Sequence, residues 1–167
     1  EMMKEIAITL TNTQRTLEYP RPYTPNMIPI GGGHMSTHMT PLPQDLKNFM
    51  DSAKEGMIYF SLGTFIPARV IPSEYIQAFV SVFKKLPQKV LWKTELENIP
   101  GLSENVRLTK WAPQPAVLSH PNCLLFVTHG GLFSQNEAFY AAIPVVGIPF
   151  FNEQRHNMKF YEHLRVG

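Results

Sequence analysis

From Gly56 onward, short runs of aliphatic and aromatic residues recur between segments with helical spacing, and most of these runs are apolar throughout. Met57-Ile58-Tyr59-Phe60-Ser61, Val90-Leu91-Trp92, Val106-Arg107-Leu108, Leu124-Leu125-Phe126-Val127 and Val145-Val146-Gly147 are the candidate strands. A strand without polar alternation is buried on both faces, the condition of a parallel sheet covered by helices. Ser73 is placed to cap a helix whose Ile76, Phe79, Val80 and Phe83 keep i, i+3, i+4, i+7 spacing. Further helices are expected around Ala116–Ser119, from Phe133 to Ala142, and from about His156. The expected class is α/β, a Rossmann-like, doubly wound parallel sheet. Ligands of such sheets bind outside the carboxyl ends of the strands. Functional residues are therefore expected in the loops after Phe60, Leu108, Val127 and Val146.

The first quarter of the chain reads differently. Six of the 15 prolines fall between Pro20 and Pro43, together with Gly31-Gly32-Gly33. Proline removes a backbone donor and biases its predecessor to extended geometry, so a short strand (Ile6 to Leu10 within Glu1–Asn12) is expected to lead into an irregular linker ending near Pro43. The boundaries are residues 1–43 and 44–167. With 44% hydrophobic residues and a net charge of +2, the chain is neither disordered nor a basic nucleic-acid binder, and Lys84-Lys85 reads as a solvated helix face. Its one cysteine, Cys123, excludes an internal disulfide. The longest stretch free of Asp, Glu, Lys, Arg, His and amide side chains, Ala138–Phe151, is 14 residues and contains Pro144, Gly147 and Pro149; a span needs about 20 apolar residues. A soluble piece without signal or anchor is expected.

Chemistry concentrates at strand ends. Val127-Thr128-His129-Gly130-Gly131-Leu132-Phe133-Ser134-Gln135-Asn136-Glu137 runs from a strand through two glycines into a helix. Glycines permit close backbone approach, and a helix start offers free N–H groups and a positive dipole end, a combination suited to a diphosphate. The alternative is a plain strand–helix turn closed by a Ser134/Glu137 capping box. Trp111-Ala112-Pro113-Gln114 places an indole where it can stack on a base and an amide where it can read one, unless Trp111 is simply a core residue. Trp92 is assigned to the core. Pro149-Phe150-Phe151-Asn152-Glu153-Gln154 clusters donors and acceptors that suit a sugar, or an exposed polar loop. Ser61-Leu62-Gly63-Thr64 ends another strand with a flexible turn. His34 and His38, four apart in the linker, lack an acidic partner and are not read as a metal site. The only aspartates are Asp45 and Asp51, so no carboxylate pair of the usual magnesium-binding type is present.

Together, Trp111-Ala112-Pro113-Gln114, His120-Pro121, Thr128-His129-Gly130-Gly131, Ser134, Glu137-Ala138, Ile143-Pro144, Pro149, Glu153-Gln154 and Asn157 resemble the signature box of the UDP-glycosyltransferases. The Ser61-Leu62-Gly63-Thr64 turn and the Tyr19-Pro20-Arg21-Pro22 to Gly31-Gly32 linker extend the resemblance, and Val146-Gly147-Ile148-Pro149-Phe150 resembles the animal, arthropod-type branch. The resemblance implies the C-terminal, donor-binding half of a two-domain GT-B enzyme, preceded by the end of the other domain and the interdomain linker.

It also implies roles. Trp111 would stack on uracil with Ala112 beside it, and Gln114 would contact the base or ribose. His129 and the N–H groups around Gly131, Phe133 and Ser134 would hold the diphosphate, and Gly63 and Thr64 would approach it from another strand. Glu137 would accept from the ribose hydroxyls, and Glu153 and Gln154 from the transferred sugar. Phe133 stands where many relatives carry Asn, and Glu153 where animal members usually carry Asp. The implied reaction is inverting hexosyl transfer from UDP-glucose to a small lipophilic acceptor hydroxyl, as in detoxification, without a metal or other cofactor. The implied partners are the UDP-sugar, the N-terminal acceptor-binding half that carries the catalytic base, and the acceptor. The parent enzyme would sit on the lumenal side of the endoplasmic reticulum membrane. This piece alone is expected to bind donor without turnover. A non-catalytic nucleotide-sugar-binding module is the alternative, and an NAD-type domain is disfavoured because no Gly-x-Gly-x-x-Gly joins a first strand to a helix.

Overall fold

A computed structural model describes residues 6–36 and 39–167. His38 and residues 1–5, which precede the expected N-terminal strand, lie outside them. The linker is less irregular than its prolines suggest. From it β2 (Met27–Pro29) pairs in parallel with β1 (Thr9–Thr11), which lies in the N-terminal segment expected to hold a strand. Ile6 to Ile8 stay outside the strand. Proline is tolerated here because Pro29 closes an edge strand, where no N–H is needed, and the next amide, Ile30 N–H, donates to the Thr11 carbonyl at 2.8 Å.

After Pro43 comes α1 (Gln44–Asp51), then β3 (Met57–Ser61), a short 3-10 turn at Ala68–Val70 and α2 (Ser73–Phe83). There follow β4 (Lys89–Lys93), β5 (Val106–Thr109), α3 (Gln114–Leu118), β6 (Cys123–Thr128), α4 (Leu132–Tyr140), β7 (Val145–Gly147) and α5 (Asn152–Leu164). All five strand runs read from the sequence are present. Helices α3 and α4 start two residues and one residue earlier than expected, and the starts of α2 and α5 differ for identifiable reasons. Pro72, not Ser73, is the N-cap of α2; its ring fixes the extended entry and Ser73 becomes the first helical residue. Helix α5 starts at Asn152 instead of His156, because the Gln154 amide oxygen accepts from the N–H groups of Phe150 (2.8 Å) and Phe151 (3.1 Å) and satisfies donors that a helix start leaves open.

The strands from β3 on form one parallel sheet in the order β5-β4-β3-β6-β7. Every residue of the central strand β3 is buried, as its unbroken apolar run requires. Alternate side chains serve two cores. Met57 and Tyr59 join Leu91, Phe126, Leu46 and Tyr161 on one face. Ile58 and Phe60 join Trp92, Val90, Val80 and Phe83 on the other. Trp92, 2% exposed, is the core tryptophan. The order reverses direction between β3 and β6, so the loops leaving those strands diverge and open a crevice at their carboxyl ends. Register pairs Ser61 with Thr128, which sets the two strand ends level.

Candidate functional site

The loops after β3, β5 and β6 meet in a cleft of about 310 Å³. Its walls include Gly63, Thr64, Ala112, Gln114, His129, Gly131, Phe133, Ser134 and Glu137, nine of the residues singled out from the sequence. Three others stand outside that lining. Trp111 is 59% exposed beside Ala112, with its carbonyl accepting from the Thr109 hydroxyl at 2.7 Å. It is therefore not a core residue. Glu153 is exposed. Gln154 is 4% exposed and its amide oxygen is occupied by the start of α5, so its main local task is to close that helix.

His129 is seated by glycine. A methyl group on Gly63 would lie 2.7 Å from the imidazole Cε1, and one on Gly131 would lie 2.8 Å from Nε2. Gly63 also has φ +81°, a conformation that side chains rarely adopt. Both walls of the imidazole slot thus depend on the missing Cβ. The ring is half-buried, and burial lowers its pKa; the Glu153 carboxylate pulls the other way and Lys93 adds to the lowering. Burial thus favours its uncharged form. Nδ1 is buried and has no hydrogen-bond partner among the described residues. An unpaired acceptor is tolerated better than an unpaired N–H, which puts the ring proton on Nε2.

The glycines lead directly into α4. Gly131 is its N-cap, and the first helical bond is Gln135 N–H to the Gly131 carbonyl at 3.0 Å. The N–H groups of Leu132, Phe133 and Ser134 therefore have no acceptor within the helix, and the positive end of its dipole faces the same crevice. The capping box that the sequence allowed is not formed: no side chain caps α4. Instead the Gln114 amide nitrogen donates to Ser134 Oγ at 3.0 Å and to Glu137 Oε2 at 2.6 Å. Gln114, expected at a base or ribose, here orients Glu137. Burial raises the Glu137 pKa, while Gln114 and His34 pull it back.

Two participants escaped the sequence reading. Lys93 ends β4 in register with Ser61 and donates from Nζ to the Gly63 carbonyl at 3.1 Å. Half-burial lowers its pKa, partly offset by Glu95. The signal was present, since a lysine follows the apolar run Val90-Leu91-Trp92 at the same sheet edge as the other loops. His34, from the linker, faces Glu137 Oε1 through Nε2 at 3.5 Å and meets the Phe133 ring edge-on at 4.6 Å. No local pattern announces that contact. Among the described residues, no group of three His, Cys, Asp or Glu is placed to hold a metal ion. No helix among them is long and apolar enough to cross a membrane.

Comparison with known proteins points one way. The family profile described as "UDP-glucoronosyl and UDP-glucosyl transferase" matches residues 1–166. UDP-glycosyltransferase UGT5 of Dactylopius coccus is 43% identical over 98% of this chain and 31% of its own length. UDP-glucuronosyltransferase 2B13 of Oryctolagus cuniculus is 40% identical over 96% of the chain and 30% of its own length. The chain thus spans about a third of the curated relatives it matches. The solved glycotransferase of kitacinnamycin shares the fold with a TM-score of 0.71 at 23% identity, covering 96% of this chain and 41% of that one.

Proposed function

The chain belongs to the UDP-glucoronosyl and UDP-glucosyl transferase family, and from that premise we propose that it is the donor-binding half of a hexosyltransferase, holding a UDP-sugar for transfer to an acceptor hydroxyl. The observation that carries the reading is the seating of His129 between Gly63 and Gly131, at the head of α4 and at the switch point of the sheet. A diphosphate in that position meets the His129 Nε2–H, the free amides of the first turn of α4 and the Lys93 ammonium. Charge that develops on departing UDP would be met by donors already in place, the form of electrostatic stabilisation that often dominates catalysis. Each hydrogen bond to a charged oxygen contributes about 1.5–3 kcal/mol, and a helix start about 0.3–1 kcal/mol at an exposed site. This donor set supports transfer without a metal ion.

Glu137 would take the ribose hydroxyls and Trp111 would stack on the uracil. Glu153, whose carboxylate acts electrostatically on His129, would lie toward the transferred sugar, with the remaining amide hydrogens of Gln154 beside it. We take that sugar to be glucose. The acceptor site and the catalytic base are assigned to the N-terminal half of the parent enzyme, on the lumenal side of the endoplasmic reticulum membrane, with residues 1–43 forming the junction between the halves. UDP-glucose and a phenolic acceptor added to this chain alone should give no glycoside.

Tryptophan fluorescence tests the donor site directly. Trp92 is buried and Trp111 is exposed, so stacking of UDP should quench the red-edge component from Trp111 and leave the blue emission of Trp92. Trp111→Phe should abolish the quench, and Trp111→Ala, which removes the stacking ring, should weaken UDP binding by about 1–3 kcal/mol. NADH should not compete. A saturable quench that persists in Trp111→Phe, or displacement of UDP by NADH, would count against the assignment.

A further inference from the structure

Both oxygens of the Glu137 carboxylate face protein groups. Oε2 receives the Gln114 amide at 2.6 Å, from the loop after β5, and Oε1 faces His34 Nε2 at 3.5 Å. The first contact lies within the sheet domain. The second comes from the linker, far away in the chain, and several features hold it. Asn12 at the end of β1 accepts the Gly32 N–H on Oδ1 at 3.0 Å and places its amide nitrogen 3.5 Å from His34 Nδ1. An amide donating to Nδ1 leaves the proton of the neutral ring on Nε2, the atom that faces the carboxylate. The Phe133 ring supplies an edge-on seat at 4.6 Å. The side chains are well covered, with 23% of His34 and 12% of Glu137 accessible. Phe133 is the platform for that imidazole.

We propose that His34 is a positioning residue of the donor site, which aims Glu137 at the ribose diol and so makes the linker part of nucleotide recognition. The proposal rests on Glu137 being the ribose acceptor. With Gln114 on one oxygen and His34 on the other, the carboxylate plane is fixed before the nucleotide arrives. A ribose hydroxyl then meets a preoriented acceptor, not one that must be ordered on binding. Without His34, Oε1 is free to rotate away and the discrimination between a ribose and its 2′-deoxy analogue falls.

The experiment compares UDP with 2′-deoxy-UDP by calorimetric titration of the 167-residue chain and of His34→Ala, His34→Gln, Phe133→Ala and Glu137→Gln. In the parent chain UDP should bind more tightly than its deoxy analogue. His34→Ala should shrink that preference by about threefold to tenfold, the scale of one ordinary net hydrogen bond, through weaker UDP binding with 2′-deoxy-UDP little changed. Phe133→Ala should move the ratio the same way by less. His34→Gln, which keeps an N–H donor, should restore most of the preference. A purely structural role for His34 would weaken both nucleotides equally, and that result overturns the proposal. If Glu137→Gln removes the preference while His34→Ala keeps it, the proposal fails and the ribose role of Glu137 stands. If Glu137→Gln leaves the preference intact, both fail.

Discussion

Gly131→Ala isolates the seating of His129 from the stability of the fold. The backbone at Gly131 has φ −67° and ψ 142°, which alanine adopts without strain. The new methyl would stand 2.8 Å from His129 Nε2 and 3.1 Å from Cε1. Ordinary carbon contacts lie at about 3.5–4.0 Å, so the ring must retreat by roughly 0.7 Å or swing out of its slot. Its hydrogen bond to a phosphate oxygen would be lengthened or lost, about 1.5–3 kcal/mol for a charged acceptor, which is roughly a 10- to 150-fold rise in Kd. The helix start should suffer far less: replacing a glycine N-cap by alanine costs up to about 1 kcal/mol, or roughly 2–4 °C in Tm for a chain of this size. Calorimetric titration with UDP and with uridine, alongside a thermal melt, gives all three quantities. UDP should weaken by at least tenfold, uridine by less than twofold, and Tm should fall only slightly. UDP affinity within twofold of the parent, or equal losses for UDP and uridine, would refute the view that these glycines hold the imidazole against a phosphate.

His129 gives a pH dependence of defined sign. Burial lowers its pKa in the free protein and an adjacent diphosphate would raise it, so binding takes up a proton. UDP affinity should then be greatest below the free-state pKa and decline as pH rises through the bound-state pKa; His129→Ala should flatten that part of the profile. Lys93→Ala should weaken UDP by about tenfold while leaving uridine unchanged, since its ammonium is already held beside Gly63. The two tryptophans should separate in a denaturant titration, with Trp92→Ala costing about 3–5 kcal/mol as a core cavity and Trp111→Ala under about 0.5 kcal/mol. Gln154→Ala should increase hydrogen exchange at the amides of Phe150 and Phe151, whose acceptor it removes.

The parallel sheet was legible because strands buried on both faces cannot alternate, and Met57–Ser61 shows the pattern without interruption. The residues at its carboxyl edge were legible for the same reason: once the strands are placed, Gly63, Ala112 and His129 follow at their ends. Partnerships across the chain were not. Nothing near Gln114 in the sequence says that its amide nitrogen is committed to Ser134 and Glu137, and the Ser134/Glu137 spacing suggested a cap that Gly131 makes unnecessary. His34 lay hidden because its environment is set by the β1–β2 pairing, itself masked by prolines that are harmless on an edge. Gln154 had the chemistry of a sugar ligand and the position of a helix cap; burial at the start of α5 shows the second at once, whereas periodicity placed that start too late.

The strand order carries a kinetic consequence. Gly63 and His129 become neighbours only when β3 pairs with β6, as Ile58 with Leu125 and Ser61 with Thr128, contacts between distant stretches of the polypeptide. Closing such a loop is entropically costly, so this pairing is expected to lag behind hairpin-like or helical contacts. The cleft between these loops therefore has no precursor in any contiguous segment. It comes into existence with the cooperative assembly of the central strands, and UDP should slow unfolding without accelerating the earliest collapse.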